Sequence, residues 1–123
     1  FIPIYFYKCL KLKFNEINKN TLKYISGIIF LLPTFRASSI WPDPYLLGTL
    51  FFIIGTYYFL KFKTCLKKNK HMKFMTMNTL LVAMASYISP NFIPFAFYFF
   101  INFFIKLKFN NKLFIIILFN IFV

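Results

Sequence analysis

The sequence predicts an all-α integral membrane protein, with four short transmembrane helices arranged as two hairpins. Apolar residues make up 60% of the 123 residues and charged residues only 14%, whereas soluble domains carry about 45–50% and about 25%. The basic residues lie between the apolar runs and not within them. A single domain of this length could not bury so much phenylalanine, isoleucine and leucine in water, so a bilayer is the simplest solvent for it.

The amino-terminal part of the chain predicts a basic segment followed by a first membrane span. Residues 1–10 are apolar but too short to cross, and residues 8–23 hold five lysines and Glu16. The apolar run 24–35 is the first expected span. Its 12 residues would make only about 18 Å of helix, against a hydrocarbon core of about 30 Å. It must therefore extend at both ends or sit inside a protein assembly.

Residues 45–60 form the clearest span, because these 16 residues carry no charge. The stretch before it, 36–44, has a proline on each side of Asp43. Proline disfavours helix at the residue before it, so we expect a loop there. Gly48 and Gly55 lie seven residues apart on one face of this helix. They either admit a close neighbouring helix or have no packing role.

The second half of the chain predicts a helical hairpin. A basic loop, 61–73, holds six lysines and the single histidine, His71, which is expected to be solvated. The spans 74–89 and 92–105 follow. The prolines between them favour a tight turn over one kinked helix, because the two runs together are too long for one crossing.

The placement of charge favours four crossings over three. Residues 106–112 form a third basic segment, and residues 113–123 form an apolar tail too short to cross. With four crossings, all three basic segments fall on one side of the membrane. The two opposite loops then carry only Arg36 and Asp43, which cancel. Positive charge concentrated on one side is the usual arrangement in membrane proteins.

The predicted spans contain no Asp, Glu, Lys, Arg or His. Proton relays and voltage sensors need such groups within the membrane, so neither is expected. Asn78 and Asn102 are the main polar residues of the spans, and hydrogen bonding between helices is their expected role. One histidine and two cysteines supply no haem, zinc or iron–sulfur ligand set, so no metal site and no autonomous enzyme is expected. A non-catalytic subunit of an oxidoreductase complex remains compatible.

Two groups of side chains are candidate binding sites. One gathers donors, an acid and aromatic rings at a predicted membrane edge: Arg36, Ser38, Ser39, Trp41, Asp43 and Tyr45. This group is loosely similar to the polar residues that the membrane anchors of succinate dehydrogenase place around ubiquinone. Its spacing does not match theirs, and helix capping is the competing interpretation. The other group is expected to bind the headgroups of anionic, cardiolipin-like lipids: Lys61, Lys63, Lys67, Lys68, Lys70, Lys73, Lys106 and Lys108.

The choice of residue types indicates the kind of genome that encodes the chain. Phe, Ile, Lys and Asn account for 62 of the 123 residues, and lysine outnumbers arginine 14 to 1. All four have codons written with A and T alone, which is typical of AT-rich genomes. In composition and layout the chain resembles a small subunit encoded by a protist mitochondrial genome, of the respiratory chain or ATP synthase. That resemblance implies the mitochondrial inner membrane, with the basic loops facing the matrix.

The leading prediction is therefore a structural or accessory subunit of a large inner-membrane respiratory complex, which scaffolds helices and lipid. Its partners would be other membrane subunits and anionic lipid. Two alternatives stay open: a membrane anchor that lines a quinone site, with ubiquinone as a shared cofactor, and a membrane-tethered ribosomal or translocation component. The net charge of +13 could suit nucleic acid, but nucleic-acid binders place their cations on a folded polar surface. Nucleic acid is therefore not expected as a partner.

Overall fold

The computed structural model describes residues 1–40, 43–65 and 68–107. Over these residues the chain forms six α-helices and two short 3-10 helices and has no strand, which confirms the all-α prediction for this part. The predicted tail 113–123 and most of the basic segment 106–112 lie outside the described residues. The α-helices are α1 (Ile2–Lys13), α2 (Lys19–Gly27), α3 (Pro33–Ile40), α4 (Pro44–Thr64), α5 (Lys68–Ile88) and α6 (Ile93–Leu107). The 3-10 helices are Ile28–Leu31 and Pro90–Phe92.

Helix α4 is the central helix and contains the predicted span 45–60. It begins at Pro44, where the missing N–H of proline leaves no helical hydrogen bond unmade. Its 21 residues make about 31 Å of helix. In the described part of the chain it is the one helix long and apolar enough to cross a membrane, so four crossings are not confirmed. Only 22% of its most apolar stretch is buried, whereas the central helix of a soluble protein is apolar because it is enclosed.

The predicted span 24–35 is not one helix. Helix α2 ends at Gly27, Ile28–Leu31 tighten into a 3-10 helix, and Leu32 is extended with ψ 121° before α3 begins at Pro33. Pro33 explains the break, because its ring disfavours helical geometry at the residue before it and it has no N–H to donate. The prediction was wrong here because it weighed the hydropathy of the run and not the proline inside it.

The expected basic loop 61–73 is mostly helical. Helix α4 continues through Lys61 and Lys63 to Thr64, and α5 already begins at Lys68. Lysines in the last turn of α4 are favourable there because the carboxyl end of a helix carries partial negative charge. The predicted span 74–89 is thus the apolar part of a longer helix.

The expected hairpin of the second half is present. The 3-10 helix Pro90–Phe92 forms the turn between α5 and α6, and α6 covers nearly all of the predicted span 92–105. Ser89, just before Pro90, has extended backbone geometry (φ −146°, ψ 123°), as the residue before a proline prefers. The proline pair therefore acts as the sequence indicated.

Helices α4 and α5 are antiparallel, and two glycines let them approach closely. A Cβ added at Gly55 would lie 2.8 Å from Val82 Cγ2, and one added at Gly48 would lie 3.2 Å from Ile88 Cγ2. Small residues of this kind allow helix backbones to come together. Of the two interpretations of this glycine pair, the structure therefore supports the packing one.

Asn78 stabilises the interface between α4 and α5 with a buried hydrogen bond. Its side chain is 1% exposed, and its Nδ2 donates to the Gly55 carbonyl oxygen at 2.8 Å. A buried amide without such a partner would cost about 1–3 kcal/mol, so this bond favours one register of the two helices. Asn102 was expected to act in the same way, but its Nδ2 donates to Tyr98 O in its own helix at 2.8 Å.

Helix α6 runs parallel to α4 and packs on it through phenylalanine rings. The Phe52 and Phe95 ring centroids are 5.0 Å apart, and further along both helices those of Phe59 and Phe99 are 4.6 Å apart. Ring pairs at such distances add about 0.5–1.5 kcal/mol beyond their burial. The buried core shared by α4, α5 and α6 consists of Phe59, Phe62, Met75, Val82, Phe99 and Phe103.

Helix α1 runs antiparallel along the other side of α4. The Tyr5 and Tyr57 rings are 5.8 Å apart and Cys9 Sγ lies 3.7 Å from Ile53 O, so higher residue numbers on α1 meet lower ones on α4. At about 100° per residue, Ile53 and Tyr57 lie nearly opposite the Gly55 face. The segment 8–23 was expected as a basic stretch level with residues 61–73, but its first part lies beside the middle of α4.

The contact between Gly55 and Val82 predicts the effect of Gly55→Ala. The new methyl group would overlap Val82, whose branched side chain has one favoured rotamer in a helix, so the helices must separate. Overpacking costs about 1–3 kcal/mol, and we expect lower thermal stability in detergent micelles. Gly27→Ala is the matched control, since a Cβ there meets nothing within 4 Å. Equal melting temperatures for the two variants would contradict this packing, whereas adding Val82→Ala to Gly55→Ala should restore stability.

Candidate functional site: the basic end of the bundle

The carboxyl end of α4, the start of α5 and the end of α6 meet at one end of the bundle, which we call the basic end. Lys106 of α6 reaches α4 here: its Nζ donates to Phe62 O at 3.1 Å and to Lys63 O at 3.0 Å. The last carbonyl groups of a helix have no partner within it. An ammonium group therefore satisfies two of them and also meets the negative end of the helix dipole.

His71 of α5 makes a second contact of this kind. Its Nε2 lies 2.7 Å from Cys65 O, and because a carbonyl oxygen only accepts, Nε2 carries the hydrogen and donates it. The imidazole packs on the Phe62 ring at 4.9 Å and is 8% exposed. The prediction that His71 is a solvated loop residue was wrong, because α5 begins earlier than expected and turns this side chain onto α4.

Lysine side chains at the basic end lie over aromatic rings. Such contacts are worth about 0.5–1 kcal/mol at exposed sites. They hold the ammonium groups near the outer edge of the aromatic core, as expected of lysines that extend from an apolar segment toward a polar interface. The pairs are Lys61 over Tyr57 at 4.7 Å, Lys63 over Phe59 at 5.0 Å and Lys106 over Phe62 at 4.9 Å.

The structure brings together part of the predicted lipid-binding set. Lys61, Lys63 and Lys106 converge on the carboxyl end of α4, and Lys73 is exposed in the first turns of α5. The backbones of Lys68 and Lys70 belong to the first turn of α5, but their side chains lie outside the described residues. Lys67 and Lys108 lie outside them altogether.

The predicted quinone edge has a structural role at Asp43. Its Oδ1 accepts a hydrogen bond from the Tyr45 backbone N–H at 2.8 Å, so it is the N-cap of α4. The Tyr45 ring stacks on Phe92 at 5.7 Å. This geometry fits the capping interpretation, because the carboxylate is already engaged and the Tyr45 ring packs on the turn between α5 and α6.

The other residues of the predicted quinone edge belong to α3 or lie outside the described residues. Arg36 is exposed, and Ser38 Oγ donates to Thr34 O in its own helix at 2.9 Å. The side chain of Ser39 and the whole of Trp41 lie outside the described residues. The described atoms therefore do not assemble a quinone pocket, and the prediction stays untested.

Cys9 and Cys65 differ in environment. Cys9 is buried between α1 and α4, so its thiol is shielded from reagents. Cys65 lies at the basic end and is half-buried. Among the described residues, no group of three or more His, Cys, Asp or Glu side chains could hold a metal ion.

Comparison with known proteins finds no matching family model, no matching curated protein and no matching solved structure. Function is therefore inferred from the residues and contacts of the chain itself.

A pair of substitutions at Asp43 separates capping from charge. Asp43→Ala removes the cap and should lower the free energy of unfolding by about 0.5–2 kcal/mol. Asp43→Asn keeps an oxygen that accepts from the Tyr45 N–H, so it should lower the free energy of unfolding by only a small fraction of that amount. Thermal unfolding in detergent, followed by circular dichroism, measures both. Equal destabilisation by the two variants would show that the negative charge, and not the cap, is what matters.

Proposed function

We propose that this chain is an integral membrane protein that serves as a non-catalytic accessory subunit of a larger membrane complex. Its aromatic helices pack against neighbouring helices and lipid, and its basic end binds anionic headgroups. The mechanism is scaffolding: the bundle holds a fixed shape, and its outer surfaces supply the contacts for assembly.

The observation that carries this proposal is the apolar surface of the bundle. Among the described residues, 25 large apolar side chains are exposed, whereas 11 apolar residues are buried. Soluble monomers rarely expose contiguous apolar patches of more than a few hundred Å². The exposed side chains continue along α5 and α6, with Leu80 at 53%, Phe97 at 64% and Ile105 at 73%. A surface of this kind favours lipid or partner helices as its surroundings.

Three crossings, by α4, α5 and α6, fit the described helices better than four. The three helices alternate in direction, so Lys61 and Lys63 at the end of α4 and Lys106 at the end of α6 come to one side. The opposite side has the turn Pro90–Phe92 and the segment that leads into α4, which carries Lys19, Lys23 and Arg36 as well as Asp43. Three crossings therefore follow from the break in the run 24–35 and not from the placement of charge.

The lengths of the helices favour an enclosed position. The charge-free part of α5, residues 74–88, and the 15 residues of α6 each make about 22 Å of helix. A hydrocarbon core of about 30 Å is thicker than this. Short helices are accommodated by local thinning, by extended lysine side chains or by association with other helices. The last of these, association with other helices, suits a subunit that is surrounded by larger neighbours.

The composition supports an organelle-encoded subunit of an inner-membrane respiratory complex, with the basic end toward the matrix. The quinone-anchor alternative gains nothing from the geometry, since Asp43 caps α4 and Ser38 bonds within α3. A ribosomal or translocation component would use the basic end on RNA, but the lysines there lie over aromatic rings at the edge of an apolar bundle, which suits a membrane surface better.

Extraction and co-purification test the proposal directly. We expect the chain to stay with native membranes in high salt and in carbonate at high pH, and to migrate with a much larger assembly after solubilisation in mild detergent. Release by carbonate would rule out a spanning protein. Recovery as a lone, monodisperse chain would rule out the scaffold role.

Lipid binding at the basic end is tested by removing three of its positive charges. Each lysine near an anionic surface contributes about 1 kcal/mol. The triple variant Lys61→Gln, Lys63→Gln, Lys73→Gln should therefore bind an anionic diphosphatidyl lipid about 100-fold more weakly, as measured by the lipid-dependent rise in melting temperature. A matched triple variant in the amino-terminal helices, Lys8→Gln, Lys11→Gln, Lys19→Gln, should keep most of the affinity. Equal losses in both would mean that net charge alone attracts the lipid.

A further inference from the structure

This inference rests on the proposal that α4 crosses the membrane. Two lysines of α1 then lie within the bilayer, beside the middle part of α4. Because Tyr5 meets Tyr57 and Cys9 meets Ile53, Lys8 is level with the centre of α4. Lys11 is level with a point about two turns, or about 10 Å, inside its Pro44 end. These lysines are therefore not at the membrane surface.

Lys8 and Lys11 lie outside the contact between α1 and α4. Together with Ile4 they are exposed and follow the spacing i, i+4, i+7, which is one face of a helix, whereas Ile2 and Cys9 are buried. We call this stripe the outer face of α1. It is open to whatever surrounds the bundle.

Lipid is a poor neighbour for this face. Charged side chains within a bilayer are costly, and they normally face protein or a water-filled cavity and pair with opposite charge. The four-carbon stem of Lys11 cannot extend over two helical turns to reach a headgroup. Lys8 Nζ lies over the Tyr5 ring at 4.6 Å, which places it level with Tyr57. Lys61, at the basic end, is about one helical turn farther along α4.

The chain does not supply the opposite charge. It has two acidic residues for fifteen basic ones. Asp43 caps α4, and Glu16 lies beyond the carboxyl end of α1. Neither of these two carboxylates therefore lies beside Lys8 or Lys11.

We propose that the outer face of α1 docks a helix of another membrane protein, which presents aspartate or glutamate side chains at mid-membrane depth to Lys8 and Lys11. A protein fits this position better than lipid because lipid phosphates lie at the interface, whereas a helix places carboxylates at any depth. The face opposite, formed by α5 and α6, carries no such lysines along its apolar length and stays in contact with lipid.

Carbodiimide coupling in native membranes tests this contact, because the reagent joins a lysine amine to a carboxylate only when the two touch. We expect an amide link, mapped by mass spectrometry, between Lys8 or Lys11 and an Asp or Glu of another membrane protein. The double variant Lys8→Gln, Lys11→Gln should lose the link and lower the fraction of the chain in the large assembly on the order of tenfold. The matched variant Lys19→Gln, Lys23→Gln, which removes two exposed charges from α2, should keep both. Resistance of Cys9 to maleimide confirms that α1 remains docked.

Other results would overturn the inference. An unchanged assembly in the Lys8, Lys11 double variant, with the chain still resistant to carbonate, would remove the partner and leave the membrane proposal intact. Release of the chain by nuclease would show that RNA occupies the face. Loss of bound anionic lipid without any change in assembly would show that headgroups occupy it. Extraction of the parent chain by carbonate would overturn the membrane proposal as well.

Discussion

The close contact between α4 and α5 is the constraint from which the rest of the bundle follows. Gly55 leaves α4 without a side chain where Val82 approaches, and Asn78 closes the contact by bonding to the Gly55 carbonyl oxygen. Once these backbones are close, Phe59 and Phe62 line the space that α6 fills. The opposite side of α4 is left for α1. One helix, with a glycine face and no charge between residues 44 and 60, thus organises three others.

The same contact explains why so much apolar surface remains outside. A pair of close helices, with a third held on by aromatic rings, has a small interior, so α5 and α6 bury one stripe each and expose the rest. Hydrogen bonds and cation–π contacts at the basic end close the carboxyl end of α4 without using acidic side chains. The architecture therefore has few internal charges and depends on its surroundings, lipid or protein, to cover its flanks.

The sequence predicted those elements whose signal was local. Span 45–60 stood out because it carries no charge, and the turn at Pro90 because two prolines interrupt one long apolar run. Pro33 was an equally local signal, but the span 24–35 was predicted from hydropathy alone. The roles of His71, Lys106 and Cys9 could not be predicted, since each depends on which helix lies beside it. The charge in 61–73 predicted a loop where a helix was possible, because lysine is a good helix former.

Cysteine accessibility in sealed vesicles shows most directly whether α4 and α5 cross a membrane as an antiparallel pair. Two single-cysteine chains suffice: one keeps Cys65 at the basic end with Cys9→Ser, and the other carries Asn91→Cys in the opposite turn with both native cysteines changed to serine. We expect a maleimide that cannot cross the bilayer to label the cysteine of one variant only from outside the vesicles and that of the other only from inside. Labelling of both from the same side, with the vesicles intact, would contradict it.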